Sequence, residues 1–241
     1  MSNLELPSTP WIVGHRGAAG EFCENTLPSF KRALEADADM IELDVQLTLD
    51  GELVCFHDWT LERLGGREDS VEASLSELVT RITIAPDGSR IPLLKEALEV
   101  IPESLPLNVE LKRRKAPPVK LLRTVLDQLD GRGQILISSF DWELLEKLRK
   151  LAPDLALAPI ERHQPGKLLD AGKKFGAFSL HCHRRLVTRH FIERAAAEGF
   201  DRVLVYTVNE PSQADRMVEA GVSGIFTDLP SQLVEHFKSR P

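Results

Sequence analysis

Residues 40–57 read Met40-Ile41-Glu42-Leu43-Asp44-Val45-Gln46-Leu47-Thr48-Leu49-Asp50-Gly51-Glu52-Leu53-Val54-Cys55-Phe56-His57. Up to Gln46, apolar Ile41, Leu43 and Val45 alternate with Glu42 and Asp44, the period of two that marks a β-strand with distinct faces. Both carboxylates therefore point the same way. Two charges on one strand face rarely survive burial without a counter-charge, and if that face lines a barrel interior they need a cation or two protons. Only residues 47–52 separate this strand from the next β-like run, 53–57, too few for a crossover helix, so the second run returns antiparallel. Asp50-Gly51 is a dipeptide that two-residue hairpin loops prefer; with it at the tip, Leu49 pairs with Glu52 and, counting back, Asp44 pairs with His57. A three-residue loop would shift that register by one.

Outward from this hairpin, β-rich runs alternate with helix-period stretches, the pattern of parallel βαβ units. The parallel strands are expected at 11–15, 40–46, 107–112, 134–139, 155–160, 176–181, 202–207 and 224–227. Helices are expected at 26–36, 93–101, 118–129, 142–151 and 190–198, among others. Such an alternation favours a closed (β/α)8 TIM barrel over an open doubly wound sheet. Residues 58–91, rich in charge and turn formers, form a short insertion after strand 2, expected to overhang the barrel mouth. Within it, Leu61, Leu64, Val71, Leu75 and Leu78 follow helical spacing and read as a helix packed on the barrel.

Barrel active sites lie at the C-terminal strand ends, where polar residues need an explanation. The first strand runs through Trp11-Ile12-Val13 into Gly14, His15, Arg16 and Gly17, placing an imidazole and a guanidinium at the mouth. The third carries Asn108, Glu110 and Lys112 on one face, with apolar Val109 and Leu111 between them. Glu42, Asp44 and Glu110 on neighbouring strands make a hard oxygen site suited to a divalent metal ion, Mg²⁺ or Ca²⁺.

In order along residues 12–230, His15-Arg16-Gly17, Glu24-Asn25-Thr26, Glu42-Leu43-Asp44-Val45, Thr48 to Gly51, His57-Asp58, Asn108-Val109-Glu110-Leu111-Lys112, Tyr206-Thr207-Val208-Asn209 and Thr227-Asp228 resemble the motifs of glycerophosphodiester phosphodiesterases. That resemblance implies a (β/α)8 barrel of the phospholipase C-like phosphodiesterase superfamily and hydrolysis of glycerophosphodiesters to sn-glycerol 3-phosphate and an alcohol. Carried across residue by residue, it implies Glu42, Asp44 and Glu110 as metal ligands, His15 and His57 as catalytic histidines, and Arg16 and Lys112 as phosphate contacts. Two positions depart from the family pattern. Cys23 stands where proline is usual, and Tyr206 replaces a commoner tryptophan. Tyr206 is either core packing or a wall for the glycerol moiety. Cys23, beside Glu21 and Glu24, reads as an inert thiol.

Composition bounds the rest. The 241 residues fit a single domain spanning 1–241, and 42% hydrophobic with 28% charged residues is ordinary for a globular chain. A net charge of -7 argues against nucleic acid as a partner, so an anionic small-molecule substrate must meet local cations or a metal. No apolar run is long enough for a membrane span, and Met1, Ser2, Asn3, Leu4 and Glu5 open no leader pattern. Cys23, Cys55 and Cys182 are too few and scattered for a disulfide framework, which points to a cytoplasmic home. Arg113, Arg114 and Lys115 read as a solvated loop that attracts anions. His181 and His183 flank Cys182 at a strand end, a spacing too weak for a metal site. Alternatives are a lysophospholipid or cyclising phosphodiesterase of the same superfamily, or a non-catalytic phosphodiester-binding barrel. The oligomeric state has no signature in the sequence.

Overall fold

The computed structural model describes Leu4 and residues 10–239; Met1, Ser2, Asn3 and Glu5, where no leader pattern is expected, lie outside the described residues. In chain order the elements are β1 (Trp11–Gly14), α1 (Leu27–Glu35), β2 (Met40–Leu47), β3 (Leu53–Cys55), α2 (Glu62–Gly65), α3 (Ser76–Arg81), α4 (Leu94–Val100), β4 (Leu107–Leu111) and α5 (Pro118–Leu129). There follow β5 (Ile135–Ser139), α6 (Trp142–Leu151), β6 (Ala156–Glu161), α7 (Pro165–Phe175), β7 (Leu180–His183), α8 (Arg189–Ala197), β8 (Val203–Tyr206), α9 (Pro211–Glu219), β9 (Gly224–Thr227) and α10 (Pro230–Lys238). The strand order β1-β9-β8-β7-β6-β5-β4-β2 closes through a β1–β2 pairing into a parallel barrel, with β3 antiparallel outside β2. The chain thus has the expected (β/α)8 barrel.

Period two sorts the strand residues between two cores. Leu43, Val45, Val109, Leu111 and Ile137 face outward against Leu121, Leu122 and Val125 of α5 and Leu144, Leu145 and Leu148 of α6. Trp11, Val13, Met40, Leu136, Ala158, Leu204 and Phe226 form a separate cluster inside the barrel. Met40 shares its face with Glu42 and Asp44, so both carboxylates project inward above an apolar plug. Several helices begin on proline, whose fixed φ and missing N–H suit the first turn: Pro118, Pro165, Pro211 and Pro230.

Three expectations are corrected. The sixth parallel strand is β7, not 176–181, because Gly176 caps α7 in the left-handed region at φ 56°. The hairpin has a three-residue loop, with Leu47 opposite Leu53 and Val45 opposite Cys55. Thr48 causes this: its Oγ1 donates to Asp50 Oδ1 at 2.6 Å and accepts from the Glu52 N–H at 3.0 Å, and Gly51 takes the positive φ (93°) the turn requires. Asp44 therefore faces Phe56, whose N–H donates to the Asp44 carbonyl at 3.0 Å, rather than His57. The insertion holds α2, a 3₁₀ turn at Val71–Ala73 and α3 instead of one helix, since Gly65-Gly66 ends α2 with Gly66 at φ 65°. Leu61 and Val71 are buried with Val79, Ile84 and Ile91 against Val54 and Phe56, while Leu75 and Leu78 are exposed. Among the described residues no helix is long and apolar enough to cross a membrane.

Candidate active site

The site occupies the C-terminal rim of the barrel. After β1 the chain reverses sharply. Gly17, at φ 84°, lies so close to α1 that a Cβ would come within 2.5 Å of Ser29 Oγ. This reversal brings the Arg16 N–H to Glu42 Oε2 at 2.8 Å. The Arg16 guanidinium lies 3.1 Å from Asp44 Oδ2 and donates to Glu24 Oε1 at 2.8 Å. From β4, Lys112 Nζ lies 3.2 Å from Glu110 Oε1 and 3.5 Å from Asp44 Oδ1. Asp44 and Glu110 are direct partners in the β2–β4 register, as are Glu42 and Asn108.

Glu42, Asp44 and Glu110 each offer a carboxylate oxygen, all within 4.8 Å of one another. Burial, then repulsion from Asp44 and Glu110, raises the Glu42 carboxyl well above the usual carboxylate range. Burial also raises Glu110, with Lys112 opposing. At Asp44 burial is outweighed by Lys112 and Arg16, which hold its carboxyl far below the usual range. Two cations thus face a buried cluster with three carboxylates. Glu42 Oε1 and Asp44 Oδ1 are buried without a hydrogen-bond partner, as is the neighbouring Asn108 Oδ1. Orphaned hard oxygens beside unbalanced negative charge fit a divalent cation.

The two histidines reach the same cavity by different routes. His15 follows β1 directly, its N–H donating to the Thr227 carbonyl at 2.9 Å. His57 would face away had the ladder continued in the observed register. β3 instead ends at Cys55, and the Gln46 side chain holds the carbonyls of Phe56 and Asp58 at 2.7 and 2.8 Å, turning the chain toward the mouth. Each imidazole meets a carboxylate through Nδ1: His15 with Asp228 Oδ1 at 2.6 Å, His57 with Asp58 Oδ1 at 2.7 Å. With Nδ1–H donated to the carboxylate, Nε2 carries the lone pair. Asp228 is fixed in turn by Asn209, whose Nδ2 donates to Oδ2 at 2.8 Å and whose Oδ1 accepts the Asp228 N–H at 2.9 Å. Burial lowers the His57 pKa against the pull of Asp44, with Lys112 and Arg16 adding to the fall.

A cavity of about 100 Å³ joins both histidines to Glu42, Glu110, Tyr206 and His181. Tyr206 is at once packing and wall: its hydroxyl donates to the Glu161 carbonyl at 3.0 Å, and its ring meets Phe140 and His183 edge-on. His181 is 1% exposed, with Nε2 3.1 Å from Ser179 Oγ, and burial lowers its pKa to about 3. Among the described residues, the carboxylate trio is the one group of three or more ligating side chains close enough to share a metal ion. A wider groove of about 500 Å³ opens beyond His57 along Trp59, Arg63, Lys112 and Arg114. Arg113 is no free loop cation but pairs with Asp141 and Glu143. Burial and Glu24 raise the Cys23 thiol, in keeping with an inert thiol.

All the candidate residues, His15, His57, Arg16, Lys112, Tyr206, Glu42, Asp44 and Glu110, meet at this mouth. Asp58, Asp228, Asn209 and Glu24 received no role from the sequence, although each lies in a quoted motif at a strand end or turn.

A family model described as the glycerophosphoryl diester phosphodiesterase family matches residues 15–232, from His15 into α10. The chain belongs to that family. As a member it is a phosphodiesterase. It is 32% identical over 234 residues to a glycerophosphodiester phosphodiesterase of Caldanaerobacter subterraneus subsp. tengcongensis, covering 92% of this chain and 96% of the relative. A human lysophospholipase D is 23% identical over 265 residues, covering 92% and 84%. A phosphodiesterase of Oleispira antarctica, solved with its product sn-glycerol-3-phosphate, superposes with a TM-score of 0.90 at 26% identity, covering 95% and 97% of the two chains.

Proposed function

We propose that this phosphodiesterase hydrolyses glycerophosphodiesters to sn-glycerol 3-phosphate and an alcohol, in a metal-dependent reaction with His15 as general base and His57 as general acid. One observation carries the reading: two imidazoles, each tied through Nδ1 to a carboxylate, share one cavity with a buried trio of carboxylates. Glu42, Asp44 and Glu110 would hold a Mg²⁺ or Ca²⁺ ion, which when bound draws charge from the phosphoryl oxygens.

The protein's own groups supply the remaining steps. Arg16 and Lys112, already oriented by Asp44, add positive charge where the phosphate gathers negative charge. His15 Nε2 takes the proton of the attacking oxygen while Asp228 steadies the imidazolium that forms. His57, entering as the imidazolium with its Nδ1–H on Asp58, delivers the Nε2 proton to the leaving alkoxide. The cavity between the two histidines gives the glycerol moiety a place against Tyr206. The higher identity to a glycerophosphodiester phosphodiesterase, 32% against 23% to a lysophospholipase D, favours a substrate without an acyl chain.

The test compares kcat/KM on glycerophosphocholine, a lysophosphatidylcholine and a glycerophospho-nitrophenyl ester. Wild type should prefer the first to the second. His57→Ala should lose ~10²- to 10⁴-fold on glycerophosphocholine, whose alkoxide needs a proton, and far less on the nitrophenyl ester, whereas His15→Ala should fail on both. Leaving-group sensitivity in His15→Ala instead would exchange the two roles. A preference for the lysophospholipid would overturn the substrate assignment.

A further inference from the structure

Arg63 lies on α2, in the insertion and outside the barrel. Its guanidinium bridges two carboxylates: Nε donates to Asp58 Oδ2 at 2.5 Å, and Nη1 and Nη2 donate to Glu24 Oε2 and Oε1 at 3.0 and 2.6 Å. Asp58 Oδ1 meanwhile holds His57 Nδ1, so one carboxylate joins the imidazole to the guanidinium. Glu24 is rooted in the barrel through its bond from Arg16. We infer that Arg63 is a positioning residue for His57: anchored on Glu24, it fixes the second oxygen of Asp58 and thereby sets the direction of the imidazole. This rests on the reading of His57 as the acid for the leaving group.

Asp58 alone does not fix the ring. It adjoins His57 in sequence, so its carboxylate can rotate about its own side-chain bonds without losing reach, and a single bond to Nδ1 leaves the ring free to swing with it. The fork of Arg63 removes that freedom through three directed bonds, which a lysine ammonium at the end of a flexible stem cannot reproduce. Arg63 is half-exposed but its two carboxylate partners are mostly buried, so its bonds hold the insertion to the barrel as well as holding Asp58. Its effect on catalysis lies in the aim of the imidazole, where a misplacement near 1 Å costs roughly 10²-fold.

The experiment measures kcat/KM for wild type, Arg63→Ala, Arg63→Lys, Asp58→Ala, His57→Ala and the Asp58→Ala/Arg63→Ala double variant on glycerophosphocholine and on its nitrophenyl counterpart. Arg63→Ala should lose roughly ten- to a hundredfold on glycerophosphocholine and much less on the nitrophenyl ester. Arg63→Lys should not restore wild-type activity. In the Asp58→Ala background the Arg63 substitution should cost nothing further. Equal losses on both esters, full activity in Arg63→Lys, or additive losses in the double variant would each overturn the inference, even where His57→Ala keeps its own leaving-group sensitivity. Absence of that sensitivity in His57→Ala would overturn the reading of His57 and the inference with it. Should Arg63→Ala not fold, Arg63→Gln carries the same comparison.

Discussion

Lowering the pH from 7 to 5 should cost the folded protein about 2 kcal/mol through His181 alone. The imidazole is buried where it lines the active-site cavity, and burial depresses its pKa from 6.5 to about 3. Above pH 6.5 neither the folded nor the unfolded chain protonates it, and its contribution to stability is fully present. Below 6.5 the unfolded chain takes up a proton that the folded chain refuses, so stability falls as the pH drops toward 3. Over the 1.5 pH units from 6.5 to 5, at ~1.4 kcal/mol per unit, the loss reaches about 2 kcal/mol. The assay is urea unfolding of wild type and His181→Asn at both pH values. Asparagine does not titrate and still offers an amide toward Ser179. Glu42 and Glu110, whose raised pKa values act in the opposite direction, are present in both proteins and cancel in the comparison. With a urea slope of roughly 2–3 kcal/mol/M, the wild-type midpoint should fall by about 1 M more than that of the variant. Parallel losses in the two proteins would refute the claim that His181 is held neutral.

Glu42→Gln should leave the chelated protein as stable or more stable, because it relieves the repulsion that raises this carboxyl, whereas Asp44→Asn should destabilise it by removing the carboxylate that Arg16 and Lys112 share, even though each keeps a second partner in Glu24 and Glu110. Denaturant unfolding in chelator separates the two, and equal losses would contradict the assigned charge balance. Asp228→Asn should lower kcat ~10²- to 10⁴-fold with little change in KM, since the amide no longer fixes the His15 tautomer or steadies its charge. Steady-state kinetics decides this, and a rise in KM alone would place Asp228 in substrate binding instead.

Period two made the inner faces of β2 and β4 legible, and with them Glu42, Asp44 and Glu110; a strand end made His15 and Arg16 legible. His57 was a different case. Register from a two-residue loop pairs it with Asp44, yet Thr48 and Gly51 build a three-residue loop, and His57 arrives because Gln46 draws the chain off the ladder. That depends on side-chain bonds across ten and twelve residues, which spacing does not encode. The bond between His15 and Asp228 joins residues 213 apart and exists because β1 and β9 are barrel neighbours. The apolar spacing of the insertion matched a helix until Gly65-Gly66 broke it, so Leu75 and Leu78, expected in the packed face, are exposed.

Metal-dependent hydrolysis at this cavity is tested most directly by ³¹P NMR of glycerophosphoethanolamine with chelator-stripped protein, before and after Mg²⁺ or Ca²⁺ is restored. The diester signal should persist unchanged in chelator and convert to that of sn-glycerol 3-phosphate once an ion is added. Turnover in chelator, or a cyclic phosphate accumulating as the final product, would contradict it.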